Sequence, residues 1–255
     1  ALALRQQRMA AAAAEARHHA RASELRTALL SAVGHDLRTP LTSIKAAIGS
    51  LRDGELRLSA SDTAELLATV EESADRLRAL VDNLLDSSRL AAGAVRPVRR
   101  AVGYDEVVAR ALSTVDGAPA RVLVDVDERL PPVLADPGLL ERVVANVVDN
   151  ALRHAPGAEV AVRASAHAGR VELRVVDTGP GVPRGEQDAV FEAFHRAGGV
   201  AATGTGLGLS VARGFTEAMG GAIAAEDTPG GGLTVVLSLP SAEVAVPAEA
   251  EEVAR

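Results

Sequence analysis

Several short stretches of this 255-residue chain carry residue types that could do chemistry together. The first is His35, in the run Gly34-His35-Asp36-Leu37-Arg38-Thr39-Pro40-Leu41. Apolar residues follow at Leu37, Leu41, Ile44, Ile48 and Leu51, the alternating steps of four and three that make a heptad seam. His35 precedes that seam by two residues, so at about 100° per residue it points roughly 200° away from it, into water. A packing histidine would sit on the seam. An exposed neutral imidazole near its ordinary pKa is a competent nucleophile at neutral pH.

A second set lies on the helix expected over 137–154, which opens with an Asp136 N-cap and Pro137 at its first position. Its core face would be Leu140, Val143, Val144, Val147, Ala151 and Leu152. The other face carries Asn146, Asn150, Arg153 and His154, spaced i, i+4, i+7 and i+8. Carboxamide oxygens suit Mg²⁺, which shares oxygen ligands with phosphates, and Arg153 can meet phosphate charge. An ordinary solvated face is the alternative, although Asn is a poor helix former.

A third set is Val175-Val176-Asp177-Thr178-Gly179-Pro180-Gly181, at the end of an expected strand. Its glycines allow close approach to a flat ligand, and Asp177 can accept from an exocyclic amine; a plain turn explains the run nearly as well. Last comes Gly204-Thr205-Gly206-Leu207-Gly208-Leu209, leading into an amphipathic helix whose first amides could hold phosphate oxygens. No Lys-Ser/Thr follows, so this is not a Walker loop, and no βαβ unit surrounds it as a dinucleotide fingerprint needs. The Gly-rich stretch from Gly198 to Gly206 reads as a lid over a bound nucleotide.

The elements that must position these residues fall into two patterns. Ala3 to Leu51 reads as one long Ala/Arg/Glu/Leu-rich helix, stopped at Asp53-Gly54. A second helix starts at an N-cap in Ser59-Ala60-Ser61-Asp62 and runs to about Leu90, with a seam at Val70, Ala74, Leu77, Val81 and Leu84. Two such helices alone would expose a long apolar stripe, so a four-helix bundle formed by a homodimer is expected. Beyond Gly93, strand-like runs at 121–126, 158–166, 169–177, 222–227 and 232–239 alternate with helices at 104–114, 137–154 and 206–218. Tight turns at His167-Ala168-Gly169 and Pro229-Gly230-Gly231, and no parallel crossover rhythm, predict an α/β sandwich with a mixed, mostly antiparallel sheet. The domains expected are a dimerisation hairpin over 1–92, a hinge over 93–101, a ligand-binding domain over 102–241 and a disordered acidic tail over 242–255.

Composition excludes several classes. With no Cys there are no disulfides, thiolate metal sites or cysteine nucleophiles. A net charge of −7 and the lack of a basic stripe with interleaved aromatics argue against nucleic acid as a partner. No apolar run approaches the ~18–20 residues that span a bilayer. Ala1 opens in what reads as mid-helix, as in a piece cut from something larger.

In this order, the His35 run, the two-Asn helix, Asp177-x-Gly179-x-Gly181, Phe191-Glu192-Ala193-Phe194 and Gly204-x-Gly206-Leu207-Gly208-Leu209 resemble the bacterial sensor histidine kinases over roughly residues 24–240. The wording around His35, with Glu71-Glu72-Ser73-Ala74-Asp75-Arg76-Leu77 and Asn83-Leu84-Leu85-Asp86, is most similar to the KdpD-type potassium-responsive group. The resemblance implies ATP and Mg²⁺ as cofactors, and His35 as the acceptor of the γ-phosphoryl group. It implies Asp36 as the neighbouring base, and Thr39 as the group that positions water when the kinase dephosphorylates its partner. Asn150 would be the main Mg²⁺ ligand with Asn146 beside it, and Arg153 would contact phosphate. Asp177 would read the adenine amino group in a pocket shaped by Gly179 and Gly181 and completed by Thr234. Gly204, Gly206, Leu207 and Gly208 would line the phosphate end. His154 stands where the family often has Tyr, which weakens any stacking on adenine, and His195 follows Phe194 where Tyr is frequent. The implied partner is a response-regulator receiver domain docking on the helical bundle, with any membrane anchor in segments absent from this chain. Two rivals remain: a gyrase- or chaperone-type ATPase, and a dimeric scaffold with a degenerate ATP site.

Overall fold

A computed structural model of the chain describes residue 34 and residues 36–53, 56–195 and 206–245. His35, Gly204 and Thr205 lie outside the described residues, as do the lid expected between Gly198 and Gly206, apart from Gly206 itself, and the whole of the helix expected before residue 34. The chain divides into two compact units, with the boundary between Val81 and Asp82.

In the first unit, helix α1 spans 36–52 and ends at Asp53, where the Asp-Gly stop was expected. Pro40 is buried within it and has no amide to donate to the carbonyl of residue 36. One turn on, the Thr42 and Ser43 hydroxyls donate back to the carbonyls of Arg38 and Thr39. Helix α2 runs Ala60–Ala91. Its start is a reciprocal capping box with Asp in the place of Glu: Asp62 N donates to Ser59 Oγ at 3.1 Å, and Ser59 N donates back to the Asp62 carboxylate at 2.9 Å. The backbone bond, then the hydroxyl bond, from Ser59 holds the Asp62 carboxyl below its usual range. Of the predicted seam residues, Leu41 and Ile48 on α1 and Val81 and Leu84 on α2 stay exposed, as does Leu67 off the seam, while Ala47, also off the seam, is buried.

The second unit is built on a five-stranded sheet. Its elements are β1 (Arg100–Val102), α3 (Tyr104–Thr114), α4 (Ala118–Arg121), β2 (Val122–Asp125), β3 (Val133–Ala135), α5 (Pro137–His154), β4 (Val160–His167), β5 (Arg170–Asp177), a 3₁₀ turn (Ala189–Phe191), α6 (Gly208–Ala218), β6 (Ala222–Asp227), β7 (Leu233–Pro240) and α7 (Ala242–Ala245). Strand order is β2-β4-β5-β7-β6. α5 packs on β4 and β5 between α3 and α6, and α6 also packs on β6. Along β5, burial alternates so that Val171, Leu173, Val175 and Asp177 form one inward row. With Val160 and Val162 of β4 and Val235, Leu237 and Leu239 of β7, that row meets the predicted core face of α5, to which Val148 is added. The β4–β5 turn has positive φ at both Ala168 and Gly169, the geometry of a two-residue hairpin that follows sheet twist.

The sheet is mixed and mostly antiparallel, as expected: β2 pairs with β4 in parallel, with α5 in the crossover between them, and the other pairs are antiparallel. Two expectations need correction. Arg100 and Ala101, expected in the hinge, are already paired with Ala135 and Leu134. The tail reading from Ala242 starts too early, because Ala242 N donates to Pro132 O at 2.8 Å and Ala242–Ala245 form α7.

The last turns of α2 belong to this unit. Asp86 is 3% exposed and lies 2.6 Å from Arg142 of α5 and 3.7 Å from Arg89. Burial nonetheless outweighs both guanidiniums and raises the Asp86 carboxyl above its usual range. The stability linked to this proton is fully present below the ordinary carboxylate pKa and is lost as pH rises through the raised value. Arg142 is part-exposed and can be rehydrated, whereas Asp86 cannot. Arg142→Met should therefore destabilise by about 3 kcal/mol at neutral pH and less in acid, while Asp86→Asn costs less at neutral pH. Urea unfolding at two pH values measures both.

Candidate active site

Asp177 is the last member of the inward row on β5, so period-two alternation places a carboxylate on the core side at the strand's end. It is 5% exposed. Its Oδ1 accepts from Gly179 N at 2.9 Å and from Leu233 N at 3.1 Å. Oδ2 accepts no hydrogen bond from a described residue, so two amides fix one oxygen and leave the other to a ligand's donor. The fit around it is close. A Cβ on Gly179 would lie 2.7 Å from Ala155 Cβ, and one on Gly181 2.8 Å from Gly232 O. Beside it, Thr234 is buried with its hydroxyl bonded to Thr228 Oγ1 at 2.9 Å.

Ala155 directly follows α5, so this contact brings the Asp177 loop to that helix's end. Asp136 caps the other end as expected, its carboxylate accepting from Leu139 N. On the outer stripe, neither the Asn146 nor the Asn150 side chain has a hydrogen-bond partner among the described residues, and Asn146 Nδ2 is buried. Unpaired carboxamides at a buried edge are unusual without a ligand. Arg153 Nε donates to Asp149 Oδ1 at 2.8 Å, which holds the guanidinium one turn from Asn150. His154 is exposed, yet partial desolvation, then Arg153, pushes it below the ordinary imidazole range; Asp177 and Asp149 pull the other way.

Helix α6 supplies the third side. A Cβ on Gly208, its first residue, would lie 3.9 Å from Asn146. Among the described residues no side chain caps this N-terminus, so its first amides can serve as donors beside the Asn stripe. Leu207 departs from expectation: it is fully buried and anchors the start of α6 instead of offering contact surface. Gly206 takes φ +67, and a Cβ there would come within 2.6 Å of His195 O. Phe194 N donates to Gly206 O at 3.0 Å, which pins residues 194 and 206 together.

The structure thus brings together Asn146, Asn150, Arg153, His154, Asp177, Gly179, Gly181, Gly206, Gly208 and Thr234. Asp36 and Thr39 lie on α1, in the other unit. Among the described residues no three His, Asp or Glu side chains could hold a metal. A cation at the two Asn must therefore take further ligands from phosphate or water, which is how Mg²⁺ binds nucleotides. The sequence reading missed Leu233 N, Gly232 and Thr228; the Thr228-Pro229-Gly230-Gly231-Gly232 run read only as a turn.

Residues 25–93 match the His Kinase A (phospho-acceptor) domain, and residues 135–243 match the histidine kinase-, DNA gyrase B- and HSP90-like ATPase. The chain belongs to the sensor histidine kinases. The phospho-acceptor match separates it from gyrase- and chaperone-type ATPases. This kinase chain is 54% identical over 249 residues to the sensor protein KdpD of Mycobacterium tuberculosis, covering 94% of this chain and 29% of that protein. It is 36% identical over 239 residues to the signal transduction histidine-protein kinase/phosphatase MprB of the same species, covering 89% and 47%. The chain thus spans less than half the length of these curated relatives. A solved structure of full-length ShkA in complex with AMPPNP is 30% identical, with TM-score 0.58 over 84% of this chain and 45% of that one. Acinetobacter baumannii AdeS, 24% identical with TM-score 0.59 over 82% and 98%, supports the fold.

Proposed function

We propose that the chain binds Mg²⁺-ATP in the second unit, transfers the γ-phosphoryl group to His35 and passes it to an Asp of a response-regulator receiver domain. The observation that carries the nucleotide site is Asp177, a buried carboxylate with one oxygen held by two amides and the other unengaged. That oxygen accepts from the adenine amine, and the close approach at Gly179 and Gly181 admits the flat base. Phosphates lie toward the uncapped start of α6, where Arg153 can also reach them. Asn150 and Asn146 would hold Mg²⁺, which neutralises phosphate charge when bound. At His35 a ring nitrogen forms the N–P bond as the bond to the β-phosphate oxygen breaks and ADP leaves. Asp36 takes or orients the ring proton, and Thr39 positions water for dephosphorylation of the regulator.

Dimerisation through the hairpin is supported by the exposed Leu41, Ile48, Leu67 and Val81. Among the described residues no helix is long and apolar enough to cross a membrane. We propose that the chain acts in the cytoplasm, with any anchor outside it. The test is incubation with Mg²⁺ and γ-labelled ATP beside His35→Gln. Label that is acid-labile, alkali-stable and lost in the variant is expected. ATP turnover without label, unchanged in His35→Gln, would overturn the kinase reading.

A further inference from the structure

Beyond the groups that face the ligand, the structure holds a closed circuit of bonds around Asp177. The loop leaving β5 contains Gly179, Gly181 and Gly185, the last two at positive φ, so it is costly to order. It is fastened at Gln187. The Gln187 Oε1 accepts from Gly185 N at 2.8 Å, and Nε2 donates to Asp227 Oδ1 at 3.0 Å. Asp227 ends β6, and its register partner on β7 is Leu233. Leu233 N is one of the two amides that hold Asp177 Oδ1. The loop that starts at Asp177 is therefore tied back, through Gln187 and Asp227, to the strand pair that aims the Asp177 carboxylate. Asp227 is exposed and Gln187 part-exposed, so core packing does not explain the pair.

We propose that Gln187 and Asp227 are positioning residues whose bond sets how well Asp177 discriminates a purine bearing an exocyclic amine from one bearing a carbonyl at that place. This rests on the nucleotide-site reading above. Neither residue bonds to Asp177 directly. Their bond removes freedom from the Gly-rich loop and fixes the β6–β7 end, so the cost of aiming Oδ2 is met before the base arrives. A loosened carboxylate can still accept a bond, but it no longer rejects the wrong base edge as strictly.

The experiment measures equilibrium dissociation constants of the full chain for ATP and GTP in Mg²⁺, for wild type, Gln187→Ala, Asp227→Ala, the double variant and Asp227→Asn, with melting temperatures alongside. Each Ala variant should weaken ATP about three- to ten-fold, the size of one lost hydrogen bond, and GTP by less. The double variant should be no worse than Gln187→Ala, which already loses the shared bond together with the one from Gly185 N. Asp227→Asn keeps an acceptor oxygen and should stay near wild type. In His35 labelling, the Ala variants should raise the ATP concentration needed for half-maximal rate and leave the plateau rate unchanged. Equal losses for ATP and GTP, additive losses, or unchanged constants would overturn the proposal while wild type still bound ATP. A wild type that bound no ATP would overturn the nucleotide-site reading with it.

Discussion

Asp177→Asn should leave the fold intact and weaken ATP binding by about 100-fold or more. The asymmetry of the carboxylate makes this substitution informative. Oδ1 accepts from Gly179 N and Leu233 N, and the Asn oxygen can take over both bonds, so no buried amide is stranded. The other position changes from an acceptor to an NH₂ donor. Two donors then face one another where the adenine amine should sit, and the charge that strengthened the bond is gone. A carbonyl-bearing purine meets the opposite outcome, so GTP should gain on ATP. Asp177→Ala is the cruder variant, since it removes the acceptor for two amides and costs about 1–3 kcal/mol of stability for each one left unpaired. Titration with ATP and GTP, beside thermal unfolding, separates the two effects. ATP affinity within a few-fold of wild type in a folded Asp177→Asn protein would sink the assignment of Asp177 as the base-reading group.

Gly232→Ala should destabilise by about 3 kcal/mol or more and disable the nucleotide site together. A Cβ at Gly232 would stand 2.0 Å from Asp177 O and 2.9 Å from Thr178 Cα, at φ +114. Both obstacles are backbone, so no side-chain rotation relieves the clash. The β6–β7 turn must move away, and Leu233 N moves with it, off Asp177 Oδ1. Gly230→Ala is the control in the same turn. It has φ +94 but nothing within 4 Å of its Cβ, so it pays only conformational strain, about 1–2 kcal/mol. Urea unfolding and ATP binding on the two variants should show a large loss for Gly232→Ala and a small one for Gly230→Ala. Equal effects would mean that φ strain, and not the contact with Asp177, accounts for the glycine.

Much of the site's scaffold was legible in the sequence. The bounds of α3 and α5 coincide with those predicted, and the Asp136 and Ser59 caps stand where expected, because periodicity and capping are written within a few residues of each other. The Asn stripe follows from the same local period of 3.6, and Asp177 ends its strand as expected. The three-residue strands β1 and β3 were not legible, since so short a run carries no alternation. Nor was the parallel β2–β4 pair, because strand direction depends on how α5 packs against the sheet. What only the tertiary structure decided is the state of the chemical groups. Which Asp177 oxygen is occupied depends on Leu233, 56 residues away, and why Gly232 lacks a side chain depends on a carbonyl on another strand. Asp86 entered the sequence reading only as part of the Asn83-Leu84-Leu85-Asp86 run, and its burial comes from a face of α5 that no local pattern announces. Residue type and spacing determine which groups can act, through forces that run along the chain. Which oxygen is held, which amide donates and which charge loses its water are fixed by contacts across the fold, and these exist only once distant segments have met.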